Sequence, residues 1–226
     1  MPAARMAAVL LAAVIFAGCA SPPPRPQSVA RGDYESVKAY LAALIQYEMK
    51  KRDVTGLSIA LVDDQRIVWA EGFGYADQAA KIPATSDTLY RAGSISKLFT
   101  ATAAMQLAER GWLDIDAPLS VHLPQFGIRS RFAGARAITP RLLMTHHSGL
   151  PRDLLQGMWV EDPEPFTAVA HRIRDEYSAF PPDYIFSYSN LGFTLLGHAA
   201  EQAAGAPFAV QLERGLQHLG ALVGVD

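Results

Sequence analysis

The chain has 226 residues, 50% of them hydrophobic and 19% charged, with a formal net charge of -2. That balance fits an ordinary globular protein and gives no electrostatic basis for binding nucleic acid. Cys19 is the single cysteine, which excludes an intramolecular disulfide.

The N-terminal stretch MPAARMAAVLLAAVIFAGCA sets Arg5 ahead of an apolar run from Met6 to Ala17. The run is too short to span a bilayer as a helix and has the length of a secretory h-region. FAGC, ending on Cys19, resembles a bacterial lipobox. Residues 1–18 are therefore expected to be a lipoprotein signal peptide, with Cys19 the acylated residue of the mature protein. The SPPPRPQS that follows makes residues 19–33 an extended tether that holds a domain off a membrane. Ala20 stands where inner-membrane lipoproteins carry aspartate, so the expected location is the periplasmic face of the outer membrane. Residues 34–226 read as one domain.

In that domain, Val37, Leu41, Leu44 and Ile45 recur at helical spacing and predict a helix over 34–52. GLSIALVDDQRIVWAEGFGYAD holds two β-rich runs around Asp63–Asp64–Gln65, a hairpin pattern, with Trp69, Phe73 and Tyr75 as its core. A helix is expected over about 94–110 with Gly111 at its C-terminal cap. ITPRLLMTHHSGL predicts a short helix running into a loop. Further helices are predicted over 164–178 and about 190–204, the latter ended by Gly205. A hairpin followed mostly by helices is an α+β (mixed α/β) order, not a repeat of βαβ units.

Three stretches carry chemistry. Ser94-Ile95-Ser96-Lys97 sets a hydroxyl and an amine three residues apart, on one face of a helix. FSYSNLGFTLLG brings Tyr188 and Asn190 around Ser189, and LLMTHHSGLP supplies His146 and His147. A serine hydroxyl is a poor nucleophile at neutral pH and needs a neighbouring base. Lys97 and Tyr188 both qualify, and spacing does not choose between them. Asn190 can donate to a substrate carbonyl and fix the lysine ammonium. A helix N-terminus at Ser94 would also favour a developing oxyanion. Adjacent histidines diverge on either a helix or a strand and lack supporting metal-ligand spacing, so His146 and His147 are expected to pack the SGLP turn. Trp112 and Trp159 are candidate cleft walls, and His122, His171, His198 and His218 are expected at the surface or in loops.

GLSIALV, GFGYAD, TLYRAGSISKLFTATAAMQLAERGWLDIDAPLSVHLP, LLMTHHSGLP and YSNLGFTLLG stand in the order found in one family. The chain resembles the serine β-lactamase and penicillin-binding protein superfamily, in its class C-like branch, over roughly residues 34–210. The resemblance implies a β-lactamase/transpeptidase-like fold. It also implies that Ser94 is the nucleophile, Lys97 its partner, Tyr188 the general base and acid, and Asn190 the substrate-positioning amide. No cofactor or metal is implied.

The family's third motif, K-T-G-like or H-x-G on a returning strand, does not follow the Y-x-N stretch. The expectation is a domain incomplete at its C-terminus, without the later sheet strands and with one oxyanion donor missing. The function expected from the sequence is a serine hydrolase acylated at Ser94 by a β-lactam, a D-alanyl peptide or a small ester. The alternative is a non-catalytic cell-envelope protein on the same scaffold that binds peptidoglycan-like peptides.

Overall fold

A computed structural model describes residues 21–154 and 160–223, with side chains described as far as residue 215. The expected signal segment, Cys19, Trp159 and the side chain of His218 lie outside the described residues. The chain forms two compact units, Met1–Arg91 and Ala92–Asp226.

The first unit begins with helix α1 (Tyr34–Arg52), over the span its periodicity predicts. Asp33 caps it by accepting from the Ser36 amide at 3.1 Å, and Lys50, Lys51 and Arg52 lie at its C-terminal end, where the helix dipole favours cations. Val37, Leu41, Leu44 and Ile45 are half-buried. Strands β1 (Gly56–Asp63) and β2 (Arg66–Asp77) pair antiparallel, Asp63 opposite Arg66. Asp64 and Gln65 form the two-residue turn between them, both with positive φ, at 46° and 66°. Two left-handed residues in succession match the twist of the flanking strands. A short third strand, β3 (Ile82–Pro83), extends the sheet in the order β1-β2-β3. The Trp69 ring meets Phe73 edge-on at 6.3 Å, and Phe73 is buried. Tyr75, expected in this core, is 44% exposed: Gly74, between it and the buried Phe73, adopts φ 73°, outside the extended region, and so interrupts the alternation that would set both rings on one face.

The second unit is helical. A 3₁₀ turn (Gly93–Ile95) leads into α2 (Ser96–Glu109). That helix ends as its sequence predicts: the Gly111 amide donates to Ala108 O and the Trp112 amide to Leu107 O, both at 2.9 Å. Two short helices follow, α3 (Leu119–His122) and α4 (Pro140–Met144). Thr139 caps α4 ahead of a proline at its first position. Over 164–178 the single helix expected from the sequence is broken. A 3₁₀ turn (Phe166–Ala168), α5 (Val169–Arg172) and another 3₁₀ turn (Ile173–Asp175) follow one another. Beyond them Tyr177 bridges to Arg129, with the Arg129 amide on Glu176 O and the Ser178 amide on Arg129 O. Those backbone groups are therefore committed to a non-local pairing that a helix would forfeit.

Helix α6 (Asn190–Ala204) runs through the middle of this unit and ends at Gly205, φ 61°. Its Leu191, Leu195, Leu196, Ala199 and Ala200 form the core with Ala104 and Leu107 of α2, Leu143 of α4, and Leu119, Leu123, Leu150 and Ile173. A last helix, α7 (Phe208–Val223), was not expected from the sequence. Its first amide, Phe208 N–H, donates to the Glu201 carboxylate at 2.9 Å, so its cap comes from the preceding helix. Among the described residues no helix is long and apolar enough to cross a membrane.

Candidate active site

Ser94 lies in the 3₁₀ turn just ahead of α2, and Lys97 one turn further on. Gly93 has a positive φ of 55°, a conformation that costs glycine little and most other residues much more. The Lys97 ammonium donates to Ser94 Oγ at 3.3 Å. From 94 residues further along the chain, the Tyr188 phenol oxygen reaches Ser94 Oγ at 2.7 Å. Ser94 is exposed, while Lys97 and Tyr188 are half-buried.

Tyr188 stands just ahead of α6, whose N-cap, Ser189, accepts from the Gly192 amide and donates to Pro151 O at 2.7 Å. The Lys97 ammonium supports the phenolate, the Ser94 hydroxyl adds a hydrogen bond, and together they hold the Tyr188 phenol below its ordinary value of 10.0. The Arg152 guanidinium, 5.2 Å from the ring centre, works weakly in the same direction. A cation at 4.9 Å from the ring, Lys97 Nζ, also gains from the negative face of the aromatic system.

Asn190 differs from its expectation. Its amide nitrogen donates to Asp153 Oδ1 at 2.7 Å, and among the described residues no hydrogen bond joins it to Lys97. Asp153, half-buried, takes an amide N–H of Asn190, a donor that the sequence reading assigns to a substrate carbonyl. Asn190 and Lys97 still line one cavity of about 310 Å³, walled by Phe166, Phe193 and Phe208.

Sequence reasoning also missed residues here. His146, expected only to pack a turn, lies with its ring centre 4.4 Å from that of Tyr188, and Phe193 flanks it at 5.1 Å. Burial first, then the Lys97 charge, holds its imidazole below the ordinary value of 6.5. Arg152 and Asp153 follow Pro151 in the same loop, where Gly149 adopts φ 70°. A side chain at Gly149 would place its Cβ 2.1 Å from Phe180 O, so glycine is what lets the two segments close on each other. The only signal of these roles in the sequence is the block LLMTHHSGLP itself.

The remaining aromatic and histidine expectations divide. Trp112, a candidate cleft wall, is 55% exposed and lines a separate hollow with Arg110 and Gln211. His198, expected at the surface, is buried in α6, and only 4% of it is exposed. It follows Leu195 by three residues and so shares that residue's buried face of the helix. His171 is exposed and His122 half-buried, with its Nε2 2.8 Å from Asp114 O. Among the described residues no three His, Cys, Asp or Glu side chains gather closely enough to hold a metal ion.

A small antiparallel sheet accompanied by helices, with an S-x-x-K serine at a helix start, defines a protein of the β-lactamase/transpeptidase-like fold. The chain belongs to the Beta-lactamase family, whose model matches residues 41–219. It is 30% identical to Protein flp of Staphylococcus aureus (strain NCTC 8325 / PS 47), over 68% of this chain and 31% of that protein. It is 29% identical to Esterase EstB of Burkholderia gladioli, over 80% of this chain and 49% of the esterase. The octameric penicillin-binding protein homologue from Pyrococcus abyssi superposes with a TM-score of 0.66 at 32% identity, covering 78% of this chain and 41% of that one. The chain thus spans less than half of the length of these relatives, 31% to 49%.

Proposed function

We propose that this chain is an acyl-transferring serine hydrolase, acylated at Ser94 by a β-lactam, a D-alanyl peptide or a small ester, and exported to the cell envelope on a lipid anchor at Cys19. The observation that carries this reading is the 2.7 Å contact between Ser94 Oγ and a phenol held below its ordinary value. A base must sit within hydrogen-bond reach of the proton it removes, and Tyr188 does.

In this mechanism the Ser94 oxygen attacks the acyl carbonyl carbon while its proton passes to the Tyr188 phenolate. Lys97, donating to Ser94 Oγ at 3.3 Å, stabilises negative charge on both oxygens. The Ser94 amide, in the first turn of the helical run, has no intrahelical partner to satisfy and can face the oxyanion. Collapse of the tetrahedral intermediate breaks the C–N or C–O bond, and the leaving group takes its proton from Tyr188. Water then attacks the acyl-serine carbonyl and gives a proton to the phenolate; collapse breaks the C–O bond to Ser94, whose oxygen takes that proton from Tyr188 as the acid is released. The family's name and the penicillin-binding relative support a β-lactam, and the esterase relative supports a small ester.

The test is labelling of the full chain with a fluorescent penicillin and with a fluorophosphonate, followed by intact-mass analysis. One adduct per chain is expected, lost in Ser94→Ala. Equal labelling of both proteins, or a protein that retains cell-wall peptides without any adduct, overturns the proposal. The same mass spectrum tests the anchor: a free thiol on Cys19 of the exported protein overturns that part alone.

A further inference from the structure

His146 takes no part in these steps, yet it touches the Tyr188 segment in three ways. Its backbone carbonyl accepts from the Ser187 amide at 2.7 Å. Its Nδ1 accepts from the Ser189 amide at 3.1 Å. Its ring lies against that of Tyr188, 4.4 Å between centres and inclined by 32°. One residue therefore fixes the backbone on both sides of the phenol and supports its ring as well. The geometry also sets the protonation state. A backbone N–H only donates, so Nδ1 must offer a lone pair and the ring proton must sit on Nε2.

His146 adopts φ 59°, an uncommon conformation for a residue other than glycine, asparagine or aspartate. A non-glycine residue held there signals that its surroundings impose the position. Phe186 and Phe193 enclose the imidazole at 5.6 and 5.1 Å. The charged and titratable groups around it are Lys97 from α2, His147 beside it and Tyr188, with Arg152 over the tyrosine ring. Burial, Lys97 and His147 all disfavour an imidazolium here, so the accepting lone pair persists at neutral pH.

We infer that His146 is a positioning residue: as the neutral Nε2–H tautomer it holds the Ser187–Ser189 segment so that the Tyr188 oxygen stays on the Ser94 hydroxyl. The consequence for rate rests on the acyl-transfer reading; the consequence for Tyr188 does not. Asparagine can present an acceptor where Nδ1 now stands and tolerates a left-handed backbone, whereas alanine offers no acceptor.

The experiment compares wild type, His146→Asn and His146→Ala in the full chain. It measures the rate of fluorophosphonate labelling and the titration of Tyr188 by 13Cζ-tyrosine NMR, assigned through Tyr188→Phe. Expected for His146→Ala is labelling slower by about 100-fold, the scale of a misplaced catalytic group, with the phenol titrating upward toward its ordinary range. His146→Asn keeps most of the wild-type rate and the low titration, which a purely structural role would not separate from the alanine variant. The inference is overturned if all three proteins label and titrate alike, or if His146→Asn loses both properties as His146→Ala does. Wild type that takes no label, with Tyr188 shifted in the alanine variant and held in the asparagine variant, supports the positioning role and overturns the acyl-transfer reading instead.

Discussion

Ser94 has two groups within reach of its proton, the Tyr188 oxygen at 2.7 Å and the Lys97 nitrogen at 3.3 Å, and they differ in kind. The ammonium donates to the serine, so it cannot at the same time accept from it; the phenol oxygen can. With Tyr188 held below 10.0 by Lys97 and Ser94, a larger share of it is phenolate at neutral pH than in a free tyrosine. Acylation that needs the phenolate rises with pH along a limb whose midpoint lies below 10.0. Tyr188→Phe is expected to slow labelling by about 10²–10⁴-fold and to remove that limb, checked by labelling rates across pH. Of this arrangement, the serine–lysine pair was legible because three residues of helix bring the two together without help. The histidine stacked on Tyr188 and the Asn190–Asp153 hydrogen bond were not. Their partners lie about forty residues apart along the chain (37 for Asn190 and Asp153), and no local periodicity encodes such a meeting.

Among the elements, those that announced themselves are the ones whose ends are decided locally. The hairpin turns on two consecutive residues with positive φ, α2 closes on Gly111, and α6 runs from the Ser189 cap to Gly205. One expected helix is broken and one unforeseen helix forms, because the boundaries of both are set from elsewhere. The bridge to Arg129 takes the end of the expected 164–178 helix, and Glu201 of α6 caps α7. Helix α6 matters to both the core and the site. Leu195 and Leu196 are fully buried against α2 and α4, while Asn190 at the same helix's start borders the cavity beside Lys97. Leu195→Ala leaves a void that neighbouring helices fill only in part, with an expected loss of about 2–5 kcal/mol in chemical denaturation. Because the void sits a turn or more from Asn190, labelling of the folded fraction should change far less than stability does.

At the scale of the whole molecule, the fold class was legible from the hairpin-then-helices order, whereas the response of the fold to acid follows from a residue the sequence put at the surface. His198 is buried in α6, where Gln125 Nε2 stands 3.3 Å from its Nε2 and its Nδ1 has no hydrogen-bond partner among the described residues. Burial holds its imidazole below 6.5, against a smaller opposing pull from Glu201, and burial does the same for His146. An unfolded chain binds protons at both residues once the pH falls below 6.5, whereas the folded chain resists them until lower pH. The unfolded state therefore binds more protons in that window, and stability rises with pH there. It is fully present above 6.5 and declines as the pH falls from 6.5 through the folded-state values. Asp33, Glu48 and Asp116, each held low by hydrogen bonds, contribute losses of the same sign, but only from their ordinary values of 3.8, 4.5 and 3.8 downward. The histidine losses thus begin at a higher pH than the carboxylate losses. Urea midpoints at about pH 7.5 and about pH 5.5 should differ, the lower pH being the less stable. His198→Leu, which fills the site with a side chain that does not titrate, should narrow that difference; an unchanged difference would place the acid response elsewhere in the chain.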